Sequence, residues 1–314
     1  MSFIGILNPI MILAVMVIIG YIISKNVEVT SQVRHFISFT VINVALPSVV
    51  IQSIFQSEIT SSLLFNFSII FICAIVLNAT GMAVGYYTGK ICKYTEVESR
   101  QMAIMAGCGN TGFMGIPLAH MLLGPTAAAY AAIYDAGTMF TVFTIGIMLL
   151  QRGRFSISTF KSMLNMPLIT LVVSLSIATF GYGIFPFIFE LSAMLSSLAA
   201  PLAMIYIGLL IPTISKERWD KVKKGYKSFI ASSTLIKTFL MPLTALTGLL
   251  FLPIDNTLGM VIVIQAAMPT FLLASVLFGR YNGSEDLGVV GVIVSVIFSL
   301  LALPIIIAVT LFYL

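Results

Sequence analysis

The sequence predicts an all-α polytopic membrane protein: ten transmembrane helices in two inverted five-helix repeats, the fourth and ninth helices broken. Three observations carry this expectation. Of 314 residues, 59% are hydrophobic and 9% charged, at a mean hydropathy of +1.10, whereas about a quarter of the residues of a soluble domain are charged. Basic residues recur in every second loop, and prolines interrupt apolar runs at matching places in the two halves.

Each apolar run approaches or exceeds the roughly 20 residues that a helix needs to cross the hydrocarbon. The first, 5–24, has no Lys or Arg ahead of it and is expected to be a span, not a cleaved leader. The second, 35–55, contains Asn43 and Pro47, and the third is 63–88. The fourth, 101–123, is the most informative, because Ala106-Gly-Cys-Gly-Asn-Thr-Gly-Phe-Met-Gly-Ile-Pro117 places four glycines, an amide, a hydroxyl and a proline in it. Proline removes a backbone donor and crowds the preceding turn, and each glycine costs a helix roughly 1 kcal/mol relative to alanine. Peptide groups freed there cannot face lipid, so the break must be packed in protein or line a cavity, as half of a substrate site would. The fifth run, 127–150, carries Asp135; the sixth, 164–184, opens on Asn165-Met-Pro167; the seventh, 190–212, contains Ala199-Ala200-Pro201. The eighth, 228–252, carries Lys237, the ninth, 257–279, is interrupted at Pro269, and the tenth is 287–313.

Fifteen of the sixteen basic residues fall in the loops after runs one, three, five, seven and nine, and Lys237 alone lies within a run. Cytoplasmic loops collect Lys and Arg, so both termini are expected outside. The sequence pI of about 9.1 then follows from topology and calls for no nucleic-acid partner. The basic stretch 216–227 reads first as plain positive-inside orientation and only second as a contact for anionic membrane lipids, and Trp219, Tyr94 and Tyr226 suit an interfacial belt.

Pro47 and Pro117 are 70 residues apart, Pro201 and Pro269 are 68 apart, and Asn8-Pro9 opens the first run much as Asn165-Met-Pro167 opens the sixth. The expected units are residues 1–150 and 164–314, joined by a cytoplasmic connector at 151–163. A unit with an odd number of spans enters the membrane from the opposite side at its second occurrence, which makes the repeats inverted and brings the broken helices together near the midplane.

Asn43-Val-Ala-Leu-Pro47, Gly109-Asn-Thr-Gly-Phe-Met-Gly-Ile-Pro117, Tyr134-Asp135 with Gly146, and Ala267-Met-Pro269 together resemble the auxin efflux carrier family, including its bacterial malate and malonate permease members. The resemblance runs along essentially the whole chain. It implies that the fourth and ninth spans cross at their unwound prolines, between a scaffold half and a moving half, and that the cargo is an organic anion. It also implies residence in a bacterial plasma membrane. The plant members' long central loop is absent, and only Gly109-Asn-Thr111 stands where their asparagine-proline-asparagine motif would be, so a small carboxylate such as malate or malonate is expected before an auxin-like aromatic one.

The residues supply a mechanism for such cargo. Half-helices that start at a break aim unpaired N–H groups and positive dipole ends, each equivalent to about half a charge, into the cavity. Asn110, Thr111 and Thr270 are candidate donors to the anion, with Gly109 and Gly112 allowing close approach beside Pro117 and Pro269. Asn110 has the alternative of capping the broken backbone, and Thr270 of bonding its own helix. Lys237, about 15 Å from the end of its span at 1.5 Å per residue, is either the countercharge of the substrate or the partner of Asp135 in a buried ion pair. Asp135, if unpaired, is a candidate carrier of a coupled proton. Asn43 and Gln265 are candidate ion-coupling or interhelical residues.

Other classes fit less well. An intramembrane serine protease needs a Gly-x-Ser-x-Gly turn and an aspartyl protease needs two deep aspartates; Glu58, Glu190 and Asp255 lie in loops, so no enzyme is expected. A passive channel and a sodium-coupled bile-acid-type symporter are the competing transport readings. Cys73, Cys92 and Cys108 have the spacing of neither a disulfide set nor a zinc site, and His35 and His120 sit near span ends. No metal or cofactor is expected, and a homodimer stays open as a partner state.

Overall fold

The computed structural model describes residues 3–151, 164–252, 254–281 and 283–313. The connector after Gln151, with Arg152, Arg154 and Lys161, lies outside the described residues. Every regular element among the described residues is helical, and the one extended pairing is an isolated antiparallel bridge between Gly109 and Thr270.

Seven of the ten apolar segments are helices long and apolar enough to cross a membrane: Leu7–Asn26, Ser31–Gln56, Ser61–Ile91, Pro125–Leu150, Pro186–Thr213, Lys227–Leu249 and Glu285–Tyr313. The other three, segments four, six and nine, are shorter. Segment four is split into Glu96–Gly107 and, after an unwound stretch, Thr111–Leu123; segment nine is split into Asn256–Ala266 and Ala274–Arg280. Segment six was expected to run to residue 184, but its helix, Met166–Thr179, stops earlier. Gly181 adopts φ 78° there, with Tyr182 N–H donating to the Ile177 carbonyl and Gly181 N–H to the Ala178 carbonyl. That is a glycine-based helix stop, open only to a residue tolerant of positive φ.

Proline acts differently from the simple break that the sequence suggests. A π turn precedes Pro47 (Val41–Ala45), Pro117 (Thr111–Gly115) and Pro242 (Ile236–Leu240). In each, the residue before the proline donates five residues back: Leu46 to Val41, Ile116 to Thr111, Met241 to Ile236. The ring cannot donate and collides with the carbonyl four residues earlier, so the turn widens while the helix continues. Pro201 lacks this device and lies in the first turn of Ala199–Leu210, and Pro9 lies within Phe3–Asn26.

Small residues set the packing. Gly81, Gly85 and Gly89 form a stripe on segment three, and a Cβ on any of them would stand 2.7–2.8 Å from atoms of Gly107, Ala106, Met102 or Ser99. The first half of segment four is thereby drawn against segment three, as small-residue stripes do in membranes. Its start is pinned by Glu96, which accepts from Tyr86, Lys90 and Arg100; the Lys90 ammonium in particular holds the Glu96 carboxyl down to about 2. Segments one and seven meet as closely through Gly20 and Gly208, where an added Cβ would lie 2.2 and 2.1 Å from the carbonyl oxygens of Ile205 and Val17. Segments one, two, six and seven pack on one another, and segments three, four, five, eight, nine and ten pack around the broken pair.

Candidate functional site

The two breaks meet as a short antiparallel pair of extended strands. Asn110 N–H donates to the Pro269 carbonyl at 2.7 Å, and Phe271 N–H donates to the Cys108 carbonyl at 3.1 Å. The crossing therefore lies at Gly109 and Thr270, not at the prolines: Pro269 borders it, whereas Pro117 sits beyond the π turn in the first turn of Ile116–Leu123. Proline widens a helix without opening it, and it is the Gly-Cys-Gly-Asn run that lets the chain extend.

The end of each half-helix of segment four is met by an opposite charge. At the carbonyl end of Glu96–Gly107, Lys237 Nζ donates to the Gly107 carbonyl at 3.4 Å with its side chain 1% exposed. At the amide end of Thr111–Leu123, Asp135 accepts from the Thr111 hydroxyl at 2.6 Å and from the Gly112 N–H. A cation suits the negative end of a helix dipole and an anion the positive end. Asp135 and Lys237 do not form the direct ion pair that the sequence left open: neither takes part in the salt bridges found among the described residues. The glycines are where the charges need room, since a Cβ at Gly109 would stand 3.0 Å from Lys237 Nζ and one at Gly112 2.8 Å from Asp135 Oδ2.

A cavity of about 400 Å³ opens beside this crossing. Gly109, Asn110, Thr111, Gly112 and Asp135 form its polar floor. Ile42, Phe113, Phe143, Tyr206, Phe271 and Val292 are among its largely apolar walls, which come from both packing groups of helices. Among the described residues, no Lys, Arg or His is in its lining. Asn110 is 4% exposed, and its Nδ2 has no hydrogen-bond partner. A buried donor left unpaired costs about 1–3 kcal/mol, and this one borders the cavity floor.

The remaining candidates are elsewhere. The Thr270 hydroxyl donates neither to the cavity nor to its own helix but to the Met105 carbonyl at 3.0 Å, one of the orphan acceptors of the first half-helix. Lys237 is absent from the cavity lining. Gln265 Nε2 donates to the Ala131 carbonyl at 3.3 Å, and Gln265 packs on Gly115, joining segments nine, five and four. Asn43 donates back to the Phe39 carbonyl of its own helix at 3.0 Å, as a π-turn residue with room beside it. Pro117 lines a second cavity of about 190 Å³ with His120, Met16, Val49, Ser196 and Pro201. Phe113, Tyr206, Ser38 and Asn165 also line the main cavity, although the sequence marks none of them as a site residue: Asn165 stands out there only as the opening of a span, and an aromatic in an apolar run carries no sign of whether it faces lipid or a cavity.

Interrupted apolar helices that meet beside a cavity between two packed groups of membrane helices define an integral membrane transporter. The chain belongs to the membrane transport protein family, whose sequence model matches it twice, over residues 5–159 and 154–307. This is the auxin efflux carrier family that the sequence resembles, and its members carry solutes. An uncharacterized transporter of Methanocaldococcus jannaschii is 25% identical over 309 residues, covering 95% of this chain and 96% of the relative. One of Methanothermobacter thermautotrophicus is 24% identical over 312 residues, covering 97% and 98%.

Proposed function

We propose that the protein is an alternating-access carrier of a small organic anion, whose carboxylate is received at Asn110 on the floor of the 400 Å³ cavity. The observation that carries this reading is the buried Asn110 Nδ2 with no partner, at the start of a half-helix, bordering that cavity. The two matches of the family's model support two repeats, and the alternating basic loops support their inversion, ten crossings and outside termini. In that arrangement segments four and nine each cross as two half-helices, the units are 1–150 and 164–314, and 151–163 is the cytoplasmic connector.

The main cavity reaches Ser38, Asn165, Thr213 and Val276, near the segment ends that adjoin basic loops, so the conformation is open to the cytoplasm. The second cavity lies about one helical turn further along segments two and four, from Leu46 to Val49 and from Phe113 to Pro117. It is the closed outer route. The helices of segments one, two, six and seven act as scaffold and the rest as the moving half.

Among carboxylates, the lining favours one charge on an apolar body over malate or malonate. A dicarboxylate brings two charges to a floor that offers amides and hydroxyls and no cation. A sodium-coupled symporter is less supported, because of Asn43, Gln265 and Asp135 only Asp135 lines the main cavity.

Proteoliposome uptake of radiolabelled benzoate, butyrate, malate and malonate tests the reading. Saturable uptake and counterflow of a monocarboxylate, abolished by Asn110→Ala in protein that inserts normally, is the expected result. Full activity in Asn110→Ala removes Asn110 from the site, and current without saturation or counterflow makes the protein a channel.

A further inference from the structure

The position where a carboxylate cargo gains most from the half-helix is the amide end at Thr111 and Gly112, and that position is filled by the protein's own carboxylate. Asp135 borders the cavity, takes the Thr111 hydroxyl at 2.6 Å and the Gly112 N–H, and presses so close to Gly112 that a Cβ there would lie 2.8 Å from Oδ2. Beside it, the buried Asn110 Nδ2 has no acceptor. The seat thus has one donor free and two engaged by a resident anion.

No other charge faces Asp135 among the described residues. Among the described residues that line the two cavities it borders, Tyr206 is the one other titratable side chain. Its own helix carries Tyr134 beside it, toward Cys73 of segment three. Lys237 lies across the unwound strand, against Gly107 and Gly109. A second carboxylate arriving at Asn110 would therefore meet Asp135 on the same floor, while the nearest cation, Lys237, is engaged by the Gly107 carbonyl. Two carboxylates in one site share it by holding a proton between them.

Resting on the anion-carrier reading above, we propose that Asp135 is a resident occupant of the cargo seat, displaced only as it takes up a proton. The cargo carboxylate replaces it as acceptor of the Gly112 N–H and the Thr111 hydroxyl, with Asn110 as third donor. The proton comes from cavity water and moves to a carboxylate oxygen of Asp135. One anion and one proton enter together, so net charge at the seat is unchanged and the loaded carrier crosses as the empty one does. The empty seat is then never without an anion, which keeps the broken helix capped in both states.

Equilibrium binding of radiolabelled benzoate to the full-length protein in detergent tests this, with proton uptake followed by a pH dye. Between about pH 6 and pH 8, where benzoate stays ionised, wild-type affinity should tighten as pH falls, approaching about tenfold per unit above the Asp135 titration, with up to one proton taken up per benzoate. Asp135→Asn, nearly isosteric, should bind benzoate with no pH dependence and at least tenfold more tightly than wild type at pH 8. Asp135→Glu should keep the pH dependence, which guards against a fold defect in the Asn variant. Wild-type binding that is saturable but indifferent to pH, or an Asp135→Asn protein with the wild-type profile, overturns the shared seat and leaves the anion site standing. If neither benzoate nor malonate binds either protein at any pH, the anion-site reading falls and the shared seat with it.

Discussion

The two breaks at the crossing are built from different materials. In segment four the freed peptide ends are met by full charges, Lys237 at the Gly107 carbonyl and Asp135 at the Gly112 N–H, with glycines making room. In segment nine they are met by neutral hydroxyls: Ser295 Oγ accepts from Thr270 N–H at 3.0 Å, and Ser299 Oγ donates to the Ala267 carbonyl at 3.2 Å. A serine hydroxyl neither gains nor loses a proton near neutral pH, so these bonds carry no charge that can change. A carboxylate at a helix end can be neutralised or replaced, so the first break can exchange its partner for a solute. On the proposed mechanism segment nine is the brace and segment four is the part that works.

Five variants probe this contrast, in order of decreasing effect. The double exchange of Asp135→Lys with Lys237→Asp places each charge at the wrong helix end; it should abolish uptake and lower the melting temperature more than either single change. Recovery in the double variant would instead establish a direct ion pair. Gly112→Ala pushes a Cβ toward the short Asp135 side chain; it should cost about 1–3 kcal/mol by overpacking and reduce uptake at least tenfold. Gly109→Ala meets the flexible end of Lys237 and should cost less in both measurements. Thr270→Val orphans the Met105 carbonyl and should lower stability by about 1–3 kcal/mol in denaturant while leaving the apparent KM for cargo unchanged. Ser299→Ala removes one neutral hydrogen bond, about 0.5–1.5 kcal/mol, and should leave transport as it was.

The helical membrane class and the location of the first break were legible because both rest on local chemistry. Nothing but a glycine-rich polar interruption explains residues 106–117 in an apolar run, and Asn110 stood out there for the same reason. The place of the crossing was not legible. Pro117 and Pro269 look alike in sequence, yet one follows a π turn that keeps its helix intact and the other borders an extended strand. Nor was the partner of Lys237, since a backbone carbonyl at a helix end has no sequence signature. Asn43 and Gln265 drew notice as polar residues at membrane depth, but depth does not tell a hydrogen bond to the residue's own helix from a ligand. The cavity walls at Phe113 and Tyr206, rings 5.3 Å apart, come from segments distant in sequence and emerge only when those segments pack.

The most direct test is a density map of the protein with benzoate bound. The carboxylate should lie within hydrogen-bonding distance of Asn110 Nδ2 and the Gly112 N–H, on the floor of the cavity, with Asp135 turned away from the helix end. A ligand seated against Lys237, or an Asp135 still on the Gly112 amide with benzoate elsewhere, would contradict it.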